Sequence, residues 1–122
     1  MNKYLNKKTE VDGILFDSKK EAKYYLLLKH KQEIGEIEDL RLQVSYELIP
    51  AVWEDEIKHL KTKDKIVRKQ VQRAITYKAD FVYKDKVTDT EMVIDVKGMR
   101  TKEYKLKKKM MFALKGIKII EV

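Results

Sequence analysis

Ile75-Thr76-Tyr77-Lys78-Ala79-Asp80-Phe81-Val82-Tyr83-Lys84, a polar stretch over 85–90, and Glu91-Met92-Val93-Ile94-Asp95-Val96-Lys97 form the segment that decides the fold. Both flanks alternate with the two-residue period of a strand. Strict alternation predicts Ile75, Tyr77, Ala79, Phe81 and Tyr83 on one face, with Thr76, Lys78, Asp80, Val82 and Lys84 on the other. In the second strand Met92, Ile94 and Val96 share a face, and Val93, Asp95 and Lys97 share its opposite. A hairpin turn centred between Val87 and Thr88 sets Asp80 opposite Asp95. Opposed residues of an antiparallel pair point to the same side, so Lys97 joins the two acids.

Two close carboxylates repel unless a cation or a proton neutralises them. Oxygen donors suit Mg²⁺ or Mn²⁺, and Mg²⁺ takes one or two carboxylates together with substrate phosphate. A lysine beside them supplies a point charge for a phosphate or an attacking water. The competing interpretation is a cross-strand salt bridge on a wet face.

Working outward, 101–114 reads as a helix with Tyr104, Leu106, Met110, Met111, Phe112 and Leu114 among lysines, stopped at Gly116. Leu106, Met110 and Leu114 are expected to face the sheet, leaving Lys105, Lys108 and Lys109 as an exposed stripe with Lys102 beside it. Ile117 to Val122 is a short buried strand, which the helix joins to 91–97 in a parallel crossover. Toward the N-terminus, Asp12-Gly13 between strand formers signals a tight hairpin. Ser18 caps a helix over 19–34 that Gly35 ends, and Glu21 sits at the capping-box position. Glu21 also shares a row with Tyr25 and Leu28, so it reads either as a capping acid or as an inward-facing site carboxylate. A strand follows over 40–49, closed by Pro50. The stretch 54–70 reads equally as a charged loop, a hairpin extension or a short helix. Trp53 and the methionines Met99, Met110 and Met111 read as packing residues. The fold class is α/β, with a mixed sheet flanked by helices.

The chain has 122 residues, the size of one domain. Its net charge is +8, with basic blocks at 1–31, 57–73 and 98–122 and an acidic one at 32–56. A basic surface favours phosphate backbones. Cysteine is absent, excluding disulfides and thiolate chemistry. No apolar run is long enough for a membrane span, and residues 1–8 lack the apolar core of a signal peptide. A soluble, cytoplasmic protein is expected. There is no Gly-rich phosphate loop, and His30 and His59 are too few for an HNH nuclease or a two-histidine phosphodiesterase.

The segment also resembles the PD-(D/E)XK nuclease superfamily. Asp80 matches its first acid, Asp95-Val96-Lys97 its (D/E)XK element, and Glu21 the acid that many members carry on the first helix. Residues Lys8–Ile14, Phe16–Ala22, Ala74–Phe81, Asp95–Gly98, Thr101 and Tyr104–Lys107 look like a small phage family described as similar to Holliday-junction resolvases. Ala79 stands where the superfamily motif has proline, a position without a catalytic role. The resemblance implies a restriction-endonuclease-like core of helix, three-stranded meander, crossover helix and fourth strand, preceded here by the N-terminal β-hairpin. It implies a Mg²⁺- or Mn²⁺-dependent DNA endonuclease, acting on branched DNA as a homodimer, in the host cytoplasm if phage-encoded. Asp80, Asp95 and the Val96 carbonyl would hold the metal, Glu21 a second ion or its water, and Lys97 the attacking water. Two rivals are a non-catalytic nucleic-acid-binding module on the same fold, and an interaction protein whose acidic block docks a basic partner.

Overall fold

The computed structural model describes residues 8–97 and 100–122, so Gly98, part of the resemblance above, and Met99, read above as a packing residue, lie outside the described residues. Strands β1 (Thr9–Val11) and β2 (Ile14–Phe16) form the N-terminal hairpin. Asp12 and Gly13 turn it with φ of 54° and 76°, the left-handed pair that a two-residue turn requires. Helix α1 (Lys19–Glu33) starts where the Ser18 hydroxyl accepts the Glu21 N–H at 3.1 Å. The Glu21 side chain does not close a capping box. It is turned inward, in the buried row Glu21, Tyr25 and Leu28.

A four-stranded sheet has the order β3-β6-β7-β8: β3 (Ile37–Ile49), β6 (Ile75–Asp85), β7 (Thr90–Asp95) and β8 (Ile120–Glu121). The first three are antiparallel neighbours, while β8 runs parallel to β7. Helix α2 (Lys102–Lys115), N-capped by Thr101, makes the connection between β7 and β8. The architecture is thus α/β, with a mixed sheet between two helical layers. Between β3 and β6, strands β4 (Val52–His59) and β5 (Asp64–Gln72) form a separate two-stranded ribbon. Of the three readings of 54–70, the hairpin extension is the one adopted.

Two cores lie on opposite sides of the sheet. Ala22, Tyr25 and Leu28 of α1 pack with Phe16, Phe81, Tyr83 and Ile94. Tyr104 and Met111 of α2 pack with Tyr77, Ala79, Val82, Val93 and Ile119. The faces of β7 are therefore as expected, but those of β6 are not. Tyr77 and Ala79 lie in the α2-side core, Phe81 and Tyr83 in the α1-side core, and Val82 is buried toward α2. Strand β3 changes sides at the same level, with Leu40 and Leu42 toward α1 and Val44, Tyr46 and Leu48 toward α2. At this level of β3 Gln43 has a φ of 53°, which interrupts the two-residue repeat of that strand.

Helix α2 also differs from its expected phase. Tyr104 and Met111 are its buried residues, whereas Leu106 and Leu114 are 58% and 56% exposed and Met110 only partly buried. Trp53, expected as packing, is exposed on the ribbon with the Arg68 guanidinium 5.1 Å over its ring. Among the described residues, no helix is long and apolar enough to cross a membrane.

Candidate active site

The register of β6 against β7 pairs Phe81 with Ile94 and runs to Asp85 with Thr90. This is the register that opposes Asp80 and Asp95, yet their pair lies one step beyond the ladder. There the strands part. The Val96 N–H donates to the Asp80 side chain at 2.8 Å rather than to a carbonyl of β6. On the far side, the Val122 N–H donates to the Asp95 carbonyl at 3.0 Å and the Lys97 N–H to the Val122 carbonyl at 3.2 Å. The backbone carrying Asp95 and Lys97 is thus fixed from one flank and open on the other.

The opening is a cleft of about 220 Å³ lined by Tyr77, Lys78, Asp80, Asp95, Lys97 and Lys107 among others. Asp95 is 2% exposed. One of its oxygens accepts the Tyr77 hydroxyl, and the other has the Lys97 ammonium at 2.9 Å, off the angle of a hydrogen bond. Lys97 also rests 4.0 Å over the Tyr104 ring, so an aromatic face steers it as well as Asp95. The Lys20 ammonium reaches the Lys97 carbonyl at 3.2 Å, tying the start of α1 to this point.

Glu21 is 6% exposed and lines a second hollow of about 220 Å³ with Asp17, Leu42 and Gln43. It does not share the cleft. Gln43 links the two, its amide nitrogen lying 3.2 Å from Glu21 and 3.4 Å from Asp80. Burial first, then the charges of Asp80, Asp17 and Asp95, push the Glu21 carboxyl up to about 7. Burial likewise raises Asp80 to about 6, opposed by the Val96 N–H and reinforced by the Asp95 charge. Such crowding of acids would be relieved by a divalent cation. Among the described residues, no three His, Asp or Glu side chains converge to cage an ion. Mg²⁺ does not need a cage, since one or two carboxylates plus water and phosphate suffice. The donor set therefore fits a hard cation.

The structure thus brings Asp80, Asp95 and Lys97 together at one cleft, with Val96 contributing its N–H to Asp80, and leaves Glu21 in the neighbouring hollow, linked through Gln43. The sequence reading missed Gln43, Tyr77 and Tyr104. Gln43 left one signal: it falls opposite Asp80 once β3 is set in register with β6.

The chain belongs to a family described as "Protein of unknown function (DUF1064)". The family model matches residues 1–119. None of the curated proteins and none of the solved structures compared with the chain matches it.

The lysine stripe needs correction. Lys102, Lys105 and Lys109 are exposed, but Lys108 is half-buried and paired to Glu121 at 3.1 Å. Arg100 holds the other Glu121 oxygen at 3.0 Å, and Arg100 first, with Lys108 assisting, lowers that carboxyl to about 2. Lys107, paired to Glu103 at 2.9 Å, borders the cleft instead. This follows from the helix phase, which turns Tyr104 and Met111 inward and carries Lys107 and Lys108 with them to the sheet's rim.

Proposed function

We propose that this protein is a Mg²⁺- or Mn²⁺-dependent endodeoxyribonuclease with a restriction-endonuclease-like core of the PD-(D/E)XK type. Its substrate is branched DNA such as a Holliday junction, and it acts as a homodimer, since resolving a junction takes two nicks. One observation carries the reading: Asp80, Asp95 and Lys97 face a single cleft, and Gln43 joins Glu21 to them. A salt bridge for stability alone would not need a third carboxyl group buried within reach of the other two.

Asp80, Asp95 and the Val96 carbonyl would hold the ion, with Glu21 holding a second ion or a water beside it. When bound, the ion supplies charge neutralisation at the phosphoryl oxygens and a more acidic water. Tyr77 and the Val96 N–H orient the two carboxylates toward the cleft. Lys97 holds its ammonium at the cleft wall, where it can bond a phosphate oxygen or order the attacking water. Lys78 and Lys107 supply further positive charge at the rim.

The test is cleavage of four-way, flap, duplex and single-stranded DNA with and without Mg²⁺. Asp80→Asn and Asp95→Asn are expected to abolish cutting while DNA binding survives or tightens, because a negative charge beside phosphate is removed. Cutting at the wild-type rate by either variant refutes the assignment. Binding without cutting by the wild-type protein establishes the non-catalytic module instead.

A further inference from the structure

The β4–β5 ribbon is a part of the molecule that the site does not use. Among the described residues its strands pair only with each other. Every residue of β4 is exposed, as is every residue of β5 except Val67. An isolated hairpin is marginal in water. Eight residues of β4 at about 3.3 Å each give it a reach of about 26 Å.

Its charges are sorted along its length. Near the base, Glu54 and Asp55 stand opposite Lys69 and Arg68, and Lys69 pairs with Glu56 at 3.9 Å. This internal matching cancels much of the contrast between the acidic and basic sequence blocks. Toward the tip the matching stops. Lys58 stands directly opposite Lys65, a like-charge pair that opposes folding of the ribbon. Lys61 and Lys63 follow in the turn, closed by the Leu60 N–H to the Lys63 carbonyl at 2.9 Å. The one acid there, Asp64, is taken by His59 at 2.8 Å. Four lysines thus crowd the tip against the single carboxylate of Asp64.

The ribbon's base adjoins the cleft. A hollow of about 300 Å³ between Ala74–Thr76 and α2 shares Glu103 and Lys107 with the cleft of Asp80 and Asp95. A polyanion lying in the cleft can continue along this hollow to the ribbon.

We infer that the β4–β5 ribbon is a DNA-holding arm, whose Lys58, Lys61, Lys63 and Lys65 grip backbone phosphates of the duplex beyond the cut. The inference rests on the proposed nuclease reading for the direction in which the DNA runs. A two-stranded ribbon fits the major groove, and its reach corresponds to about eight base pairs at 3.4 Å each. The contacts are to phosphate, so they confer affinity and length dependence rather than sequence preference.

The test compares the full-length protein with a variant carrying Lys58→Ala, Lys61→Ala, Lys63→Ala and Lys65→Ala, and with the matching Lys→Arg variant. All four side chains are exposed, and circular dichroism verifies folding. Binding to a duplex of about 30 base pairs is titrated against salt. The alanine variant is expected to lower the slope by about three to four units, at ~0.9 per phosphate, while the arginine variant retains it. Shortening the duplex to about 10 base pairs should weaken the wild-type protein and the arginine variant much more than the alanine variant. An unchanged slope overturns the inference. If the alanine substitutions then alter only the sedimentation coefficient, the arm's partner is a second copy. A wild-type protein with an arm-dependent slope that cuts nothing in Mg²⁺ refutes the nuclease reading and leaves the arm standing. One that cuts, with equal slopes for all three proteins, refutes the arm alone.

Discussion

Strands β3 and β6 and the ribbon β4–β5 are one antiparallel excursion of the chain, yet they behave as different materials. In the sheet, helices cover both faces, and the two cores packed there hold the strands in place. On the ribbon no described residue covers either face: Ile57 and Ile66 are cross-strand partners, 60% and 71% exposed. The sheet can therefore hold costly features, namely a left-handed Gln43, a buried Glu21 and a buried Asp95, because burial elsewhere sustains them. The ribbon can hold none, and it carries exposed surface charge instead. Chemistry that needs fixed groups belongs in the first region, and contact with a long charged partner in the second.

The sharpest way to break this contrast is at Lys97. Lys97→Gln keeps a donor beside Asp95 but loses the charge. Cleavage is expected to fall by about 10²–10⁴-fold, with DNA affinity nearly unchanged among 28 basic residues. Equal losses in single-turnover rate and in binding would make Lys97 an ordinary phosphate contact.

Glu21 tests the cost of the buried acid. Its folded value, about 7, lies above the ordinary 4.5, so the native state holds the extra proton between them. Metal-free stability should then fall as pH rises through that window and level off above it. Glu21→Gln should remove this contribution, gaining about 3 kcal/mol at pH 8 and under about 1 kcal/mol at pH 5. Urea midpoints in a chelating buffer at the two pH values measure it, and added Mg²⁺ should narrow the difference. Asp80, also raised, contributes in the same direction in both proteins.

Gln43→Asn is a subtler change. Asparagine tolerates the left-handed backbone, but its shorter side chain cannot span Glu21 and Asp80. Cleavage should drop by about tenfold, of the order expected for one positioning hydrogen bond of ~1.4 kcal/mol, while the melting temperature stays within a few degrees. A collapse in stability instead would assign Gln43 to the fold rather than to the site.

The smallest effects belong to the ribbon. Ile57→Thr and Ile66→Thr should each change stability by less than about 0.5 kcal/mol, because neither side chain is buried. A loss near that of a core truncation, about 3 kcal/mol, would mean that the ribbon is covered in solution.

Much of the site was legible because a hairpin's turn fixes its register. Centring 75–97 on Val87 and Thr88 aligned Asp80 with Asp95 before any coordinates. The faces of β6 were not legible. Alternation carries no sign of a residue at positive φ, and glutamine is not a type that advertises one. Helix α2 misled for another reason. Its apolar residues surround the axis, so hydrophobicity alone cannot phase it, and Tyr104 is drawn inward by Tyr77 and Lys97. The ribbon stayed ambiguous because its alternation separates charge from charge, not apolar from polar.

The left-handed residues of β3 have a consequence for solubility. β3 and β8 are the two outer strands of the sheet, and an outer strand exposes a row of unpaired N–H and carbonyl groups that a foreign strand can extend. β8 offers only two residues. β3 is thirteen residues long, but Asp39 and Gln43 at φ of 56° and 53°, with a register shift between Glu38 and Arg41, break its outer row into short pieces. The four-stranded sheet therefore presents no long flat edge among the described residues, so the kink beside Asp80 also hinders aggregation through that sheet.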